Sequence, residues 1–167
     1  MNKLTMLLWS LVLFIFTFQF DRITKQYALT HLVERHEINQ FLSFELLFNR
    51  GVTGGLFHTH SSFWFVLLSL IVTSIALILG VYTYYRWKNT GFILGEVLVL
   101  SGAFSNVIDR VLYGGVIDFI AVSWGDWFFP IFNIADVCIV IGVLIIFFVH
   151  MQDPIDTSAP SAHQDRQ

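Results

Sequence analysis

Two acids stand where acids are costly. Asp118 lies within Val116-Ile117-Asp118-Phe119-Ile120, apolar on both sides, and Asp136 lies near the start of the apolar run that begins at Ile131. Two carboxylates held a few ångströms apart cannot both ionise easily, so they share a proton and the pKa of one rises. One is then a base while the other is an acid. Such a pair can activate water against an amide carbonyl and protonate the leaving nitrogen, which is the chemistry of an aspartic peptidase. A purely structural reading stands beside this one. Asp118 follows a Gly114-Gly115 turn and can cap it, while Asn133 and Asp136, after Pro130, fit the N-cap and third residue of a helix, a capping box.

Further polar residues are grouped rather than scattered: Asp21, Arg22, Thr24 and Lys25; Asn49, Arg50 and Gly51; Asn106, Asp109 and Arg110; and Asn133. Asn106 and Arg110, at i and i+4, share a helical face, with Asp109 close to it. An ion-pair network that fixes a helix end and a direct contact with substrate both suit this trio. Other chemistries find less support. His58-Thr59-His60 places two histidines off a common helical face, with no further ligand at metal-binding spacing. The serines lack a nucleophile-elbow context. Cys138, the one cysteine, sits in an apolar helix as a core residue and excludes an intrachain disulfide framework. No metal and no cofactor is expected.

The elements that must position these residues follow from composition. Of 167 residues, 56% are hydrophobic and 13% charged, about half the roughly 25% charge of soluble chains. Mean hydropathy is +0.70. A water-facing surface cannot be covered with so few charges, so the expected class is an all-α membrane protein. The net charge of −3 excludes a basic nucleic-acid binder.

Apolar stretches near 20 residues suit a hydrocarbon core of about 30 Å. They predict a four-transmembrane-helix bundle with spans at about 4–21, 62–85, 91–109 and 131–150, the third carrying Glu96 and the fourth Asp136. Residues Phe18 to Asp21 offer no small-x-small cleavage site, so the first span reads as an uncleaved helix. Residues 1–150 form a single membrane domain, and 151–167, with Pro154 and Pro160, a disordered cytoplasmic tail.

Arg86 and Lys88 in the turn 86–90 place both termini in the cytoplasm and both large connections, 21–60 and 109–130, outside. The alternation in Phe41 to Phe48 predicts a small extracytoplasmic β element on the membrane surface, and the second connection is expected as a loop or helix. Trp124, Trp127, Phe128 and Phe129 read as an aromatic belt at the outer interface. Gly91 and Gly95 form a G-x-x-x-G suited to close helix packing. The polar groups then converge at the outer ends of the spans and form a pocket there.

Five segments carry a resemblance: Asp21 to Lys25 (DRITK), Asn49 to Phe57 (NRGVTGGLF), Ser101 to Arg110 (SGAFSNVIDR), Val116 to Ile120 (VIDFI) and Phe132 to Asp136 (FNIAD). In order and spacing the chain resembles bacterial lipoprotein signal peptidases, the type II signal peptidases, from about residue 17 to 146. The resemblance implies an inner-membrane, multi-pass aspartic endopeptidase, active on the periplasmic side. It would remove signal peptides from prolipoproteins just before a diacylglyceryl-modified cysteine. It implies Asp118 and Asp136 as the catalytic pair, with Asp21, Lys25, Asn49, Gly51, Asn106, Asp109, Arg110 and Asn133 as supporting or substrate-binding residues. Of the supporting residues, Asn49, Asn106, Arg110 and Asn133 are expected to line the site. The implied partners are lipid-modified prolipoproteins and membrane lipids, with the enzyme a monomer. The chain departs from the family where Ser101 and Ser105 replace usual glycines and where Val52-Thr53-Gly54-Gly55 replaces Ala-Ala-Phe-Gly.

Two rival classes remain. A small transporter or proton-conducting subunit needs an acid near the midplane, and only Glu96 is a candidate. An assembly protein without chemistry would need neither aspartate individually.

Overall fold

The computed structural model describes residues 2–51, 61–89 and 91–152. Its elements are α1 (Lys3–His31), β1 (His36–Glu37), β2 (Leu42–Asn49), α2 (Ser62–Asn89), α3 (Leu94–Tyr113), β3 (Val116–Trp124), β4 (Trp127–Phe128) and α4 (Ile134–Gln152). The expected residues 52–55, the His58-Thr59-His60 motif and 153–167 of the expected tail lie outside the described residues; Met151 and Gln152 belong to α4.

Among the described residues, three helices are long and apolar enough to cross a membrane: Lys3–His31, Ser62–Asn89 and Ile134–Met151. In α2 only Phe65 and Thr83 are buried. An apolar helix with its side chains turned outward is suited to lipid, not water. The expected third span, α3, is built differently. Its buried face carries Glu96, Ser101, Ser105, Asn106, Asp109 and Arg110, and these lower its hydropathy while joining it to every other helix.

α1 does not stop at residue 21, as the charges there suggested, but runs ten residues further. Asp21 and Lys25 lie one helical turn apart on the buried face, so they continue the helix's packing stripe instead of ending it. The second connection also departs from expectation. It is strand, not loop or helix, and β1 to β4 form one antiparallel sheet in sequence order. Ala28, Leu32, Ile117 and Phe119 make a small core between the extended end of α1 and this sheet.

The α3–α4 contact depends on glycine. A Cβ on Gly95 would lie 2.7 Å from the carbonyl oxygen of Gly142, and one on Gly102 would lie 2.4 Å from that of Ala135. Small residues thus let the two backbones touch. The expected Gly91–Gly95 pair is not the one used, since Gly91 has φ 78° and stands in the turn before α3. Glu96 sits in the first turn of α3, not mid-helix, and pairs with Arg86 of α2. Trp124, Trp127 and Phe128, at the β3–β4 hairpin, are more than 70% exposed.

Candidate active site

Three local devices bring Asp118 and Asp136 together. The first is the end of α3. Gly114, at φ 67°, closes the helix in the left-handed conformation that favours glycine. The chain reverses into β3, and Asp109 Oδ2 accepts the Ile117 N–H at 3.3 Å.

The second device is a stretch of backbone pairing. Phe132 bridges Ile120 of β3 in antiparallel fashion, with Phe132 N–H donating to Ile120 O at 3.1 Å and Ile120 N–H donating back at 2.9 Å. The next residue, Asn133, is thereby laid against Asp118. It also caps α4, because its Oδ1 accepts the Asp136 N–H at 2.9 Å while Asp136 Oδ2 accepts the Asn133 N–H at 3.4 Å. The capping box expected from sequence is present, and it is part of the site rather than an alternative to it.

The third device is a bulge. Phe44 pairs with Ile120 but Leu47 pairs with Asp118, so β2 carries one extra residue against β3. Side chains alternate across a sheet, so one extra residue moves everything beyond it to the other face. Asn49 therefore pairs with Val116, on the face shared by Asp118.

The resulting geometry is closely tied. Asn133 Nδ2 donates to Asp118 Oδ1 at 2.7 Å, and Asn49 Nδ2 donates to Asp118 Oδ2 at 2.9 Å. Asn106 Nδ2 donates to Asp136 Oδ1 at 3.0 Å. Asn133 thus touches both carboxylates. Burial, followed by the neighbouring charge of Asp136, raises Asp118 to about 7, against the opposing hydrogen bonds of Asn49 and Asn133 and the charge of Lys25. A carboxyl still protonated near neutrality next to a second carboxyl is what general acid–base work requires.

Behind the pair lies a buried ionic layer. Lys25 Nζ reaches Asp21 Oδ2 at 2.8 Å, Asp109 Oδ2 at 2.8 Å and Asn106 Oδ1 at 2.7 Å. Asp21 Oδ1 accepts the Ala135 N–H at 2.8 Å, which ties α1 to the first turn of α4. On the other flank, Gly51 is held at both ends: its N–H donates to Asn49 Oδ1 at 2.8 Å and its carbonyl accepts Arg110 Nη2 at 2.6 Å. Arg110 is buried, and its Nε and Nη1 have no hydrogen-bond partner among the described residues.

All ten residues expected for the site meet in this one place. Sequence reasoning grouped Arg22 with the converging polar residues and noted Ser101 and Ser105 in place of glycines but gave none of them a site role; Arg22 pairs with Asp109. Ser105 donates to Asp21 Oδ2 at 2.5 Å, and Ser101 accepts from Thr17 at 2.8 Å.

The model of the family described as Signal peptidase (SPase) II matches residues 13–152. The chain is 34% identical over 143 residues to the lipoprotein signal peptidase of Clostridium novyi, covering 82% of this chain and 93% of that one. It is 38% identical over 140 residues to that of Clostridium tetani, covering 80% and 86%. A bacterial membrane enzyme solved by the in meso method at 2.3 Å resolution has a similar structure, with TM-score 0.70, 27% identity and 94% of each chain covered. With a family match over residues 13–152, most of its length, the chain belongs to the signal peptidase II family.

Proposed function

We propose that the chain is an aspartic endopeptidase that removes signal peptides from prolipoproteins, cutting before a diacylglyceryl-modified cysteine, with Asp118 and Asp136 as its catalytic dyad. Family membership supports the reaction. The observation that supports the dyad is Asn133, whose side-chain amide and backbone N–H bind the two carboxylates.

Asp118, raised to about 7, is the member that holds the proton. Asp136 sits in the first turn of α4, where the helix N-terminus favours negative charge. Asp136 takes a proton from water as the water oxygen adds to the scissile carbonyl carbon, and the Asp118 proton passes to the carbonyl oxygen. Asp136 then gives its proton to the leaving nitrogen while Asp118 takes one back from a hydroxyl of the tetrahedral diol, so the C–N bond breaks, a carboxylic acid and an amine leave, and the dyad is again protonated on Asp118 alone. Arg110 Nε and Nη1 are the groups we assign to a substrate carbonyl.

α3 completes a four-span bundle in this reading, its polar face covered by the other helices. Both termini are cytoplasmic, the dyad lies at the periplasmic interface, and the exposed Trp124 and Trp127 mark the outer leaflet. The enzyme works as a monomer. A lipid-anchored cysteine is held at that surface, so its scissile bond reaches a dyad at the helix ends without crossing hydrocarbon. The buried pairing of Glu96 with Arg86 disfavours a proton relay.

The test is cleavage of a lipid-modified prolipoprotein by Asp118→Asn and Asp136→Asn variants that still insert and accumulate. Loss of cleavage in both is expected. Wild-type cleavage by either one refutes the dyad.

A further inference from the structure

One fully buried cation near the dyad is held by other partners. Lys25 is fully buried, and its ammonium has three donors for three acceptors, one each on Asp21, Asp109 and Asn106. The contact with Asn106 is the informative one. Asn106 Oδ1 receives Lys25 Nζ at 2.7 Å and Asn133 Nδ2 at 3.2 Å, while its Nδ2 faces Asp136 Oδ1 at 3.0 Å. A side-chain amide can flip and exchange its oxygen and nitrogen. Flipped here, Asn106 would set its NH₂ against an ammonium and its carbonyl oxygen against a carboxylate. Both contacts would then be repulsive.

We infer that Lys25 is a positioning residue that locks the Asn106 amide in the one orientation that offers an N–H to Asp136. This rests on the dyad reading above. The lock acts through geometry first, and also through charge. Asp118, Asp136, Asp109 and Arg110 face the same region from β3, α4 and α3, with Asp21 and Arg22 on α1, and Lys25 is the buried ammonium among them. Its field opposes the burial and the Asp136 charge that raise Asp118. Removing it moves the basic limb of the dyad's pH profile, set by Asp118, toward higher pH.

The experiment compares Lys25→Gln and Lys25→Met with wild type in initial-rate cleavage of a lipid-modified prolipoprotein across pH. Both variants lose the charge, but the Gln amide can still donate to Asn106. Expected are a fall in kcat of about 10- to 100-fold with KM within about twofold, the basic pH limb shifted upward, and a smaller kcat loss in Gln than in Met. A folded variant with wild-type kcat and pH profile overturns the inference, as does a loss confined to KM or to thermal stability. Where removing Lys25 leaves Asp21 and Asp109 too poorly neutralised to fold, the charge-balanced Lys25→Met/Asp109→Asn variant replaces the singles and is judged by its kcat-against-KM split. The Asp118→Asn and Asp136→Asn variants run in parallel. If they cleave, the dyad reading fails, and if they are inactive while Lys25 variants stay fully active, only the lock fails.

Discussion

The substitution Gly102→Ala adds one methyl group, yet it should disable the enzyme. The new Cβ would lie 2.4 Å from the Ala135 carbonyl oxygen and 2.9 Å from Ile139 Cγ1. An ordinary contact is roughly 3.5 Å, so the first turn of α4 must withdraw by about 1 Å. Backbone cannot swing aside as a side-chain tip can. The next residue is Asp136, whose 3.0 Å bond from Asn106 would open beyond hydrogen-bond range. Misplacement of about 1 Å costs on the order of 100-fold in rate, and overpacking costs about 1–3 kcal/mol of stability. Two controls separate these effects. Gly95→Ala meets a similar obstruction, 2.7 Å from Gly142 O, two turns further from the dyad, and Gly80→Ala meets nothing nearer than Leu100 Cδ2 at 4.0 Å. In detergent-solubilised enzyme acting on a lipid-modified prolipoprotein, Gly102→Ala should lose both rate and melting temperature, Gly95→Ala chiefly melting temperature, and Gly80→Ala neither. A wild-type kcat for Gly102→Ala, or equal kcat losses at 102 and 95, would refute the argument.

The pH profile should be bell-shaped: activity falls as pH rises through about 7, where Asp118 gives up its proton, and falls again in acid as the second carboxylate is protonated. A flat profile to pH 9 would contradict the assignment of Asp118 as the acid. Stability moves with the same group. Its folded pKa exceeds its ordinary 3.8, so the native state binds the extra proton, and stability should decline from about pH 4 to about pH 7 and then level off. Asp118→Asn should flatten that slope in thermal unfolding scans. Asn49→Leu removes one of two amide donors to Asp118 and also the acceptor for Gly51 N–H, so kcat should fall at least 10-fold; retention of full activity would show that the β2 bulge has no catalytic consequence. Ser105→Ala removes one hydrogen bond to Asp21, and a stability loss of about 1 kcal/mol by denaturant titration, with kcat nearly unchanged, is expected. Cleavage should persist in the presence of a strong chelator, and inhibition that added metal reverses would return attention to His58 and His60.

The grouping of the polar residues was more legible in the sequence than the architecture. In a chain with so few charges, each acid in an apolar run stands out, and this singled out Asp118 and Asp136 before any geometry was available. Charge also misled. Asp21 and Lys25 resemble the end of a span because charge usually meets water, yet here they face a buried partner across the bundle and the helix continues to His31. The run Val116 to Ile120 lacks alternation because both its faces are covered, and such a strand cannot be told from a helical segment by periodicity. The bulge in β2 left no mark at all. Phe44, Leu46 and Phe48 alternate as if on one face, and only the pairing shows that the phase changes between Phe44 and Leu47. Arg86 and Lys88 belong to α2 and not to a loop, because α2 extends to Asn89.

The bulge and the buried layer together explain why asparagines surround Asp118. Among the described residues, both of its hydrogen-bond donors, Asn49 and Asn133, are amides. An amide N–H orients a carboxylate, but its attraction is weaker than a cation's and leaves burial and Asp136 able to raise Asp118. A lysine in direct contact would favour the ionised form and remove the acid from the pair. Lys25 avoids this because it is spent on Asp21, Asp109 and Asn106, so that its charge reaches the dyad through an amide. The arrangement separates two tasks that conflict when one residue performs both. The ionic layer between α1 and α3 fixes the helices, and the amides transmit that position to carboxylates that, in the proposed dyad, must remain free to exchange a proton. Moving the charge one step inward, as Asn106→Lys would do, should therefore abolish cleavage even in a variant that folds and retains substrate binding.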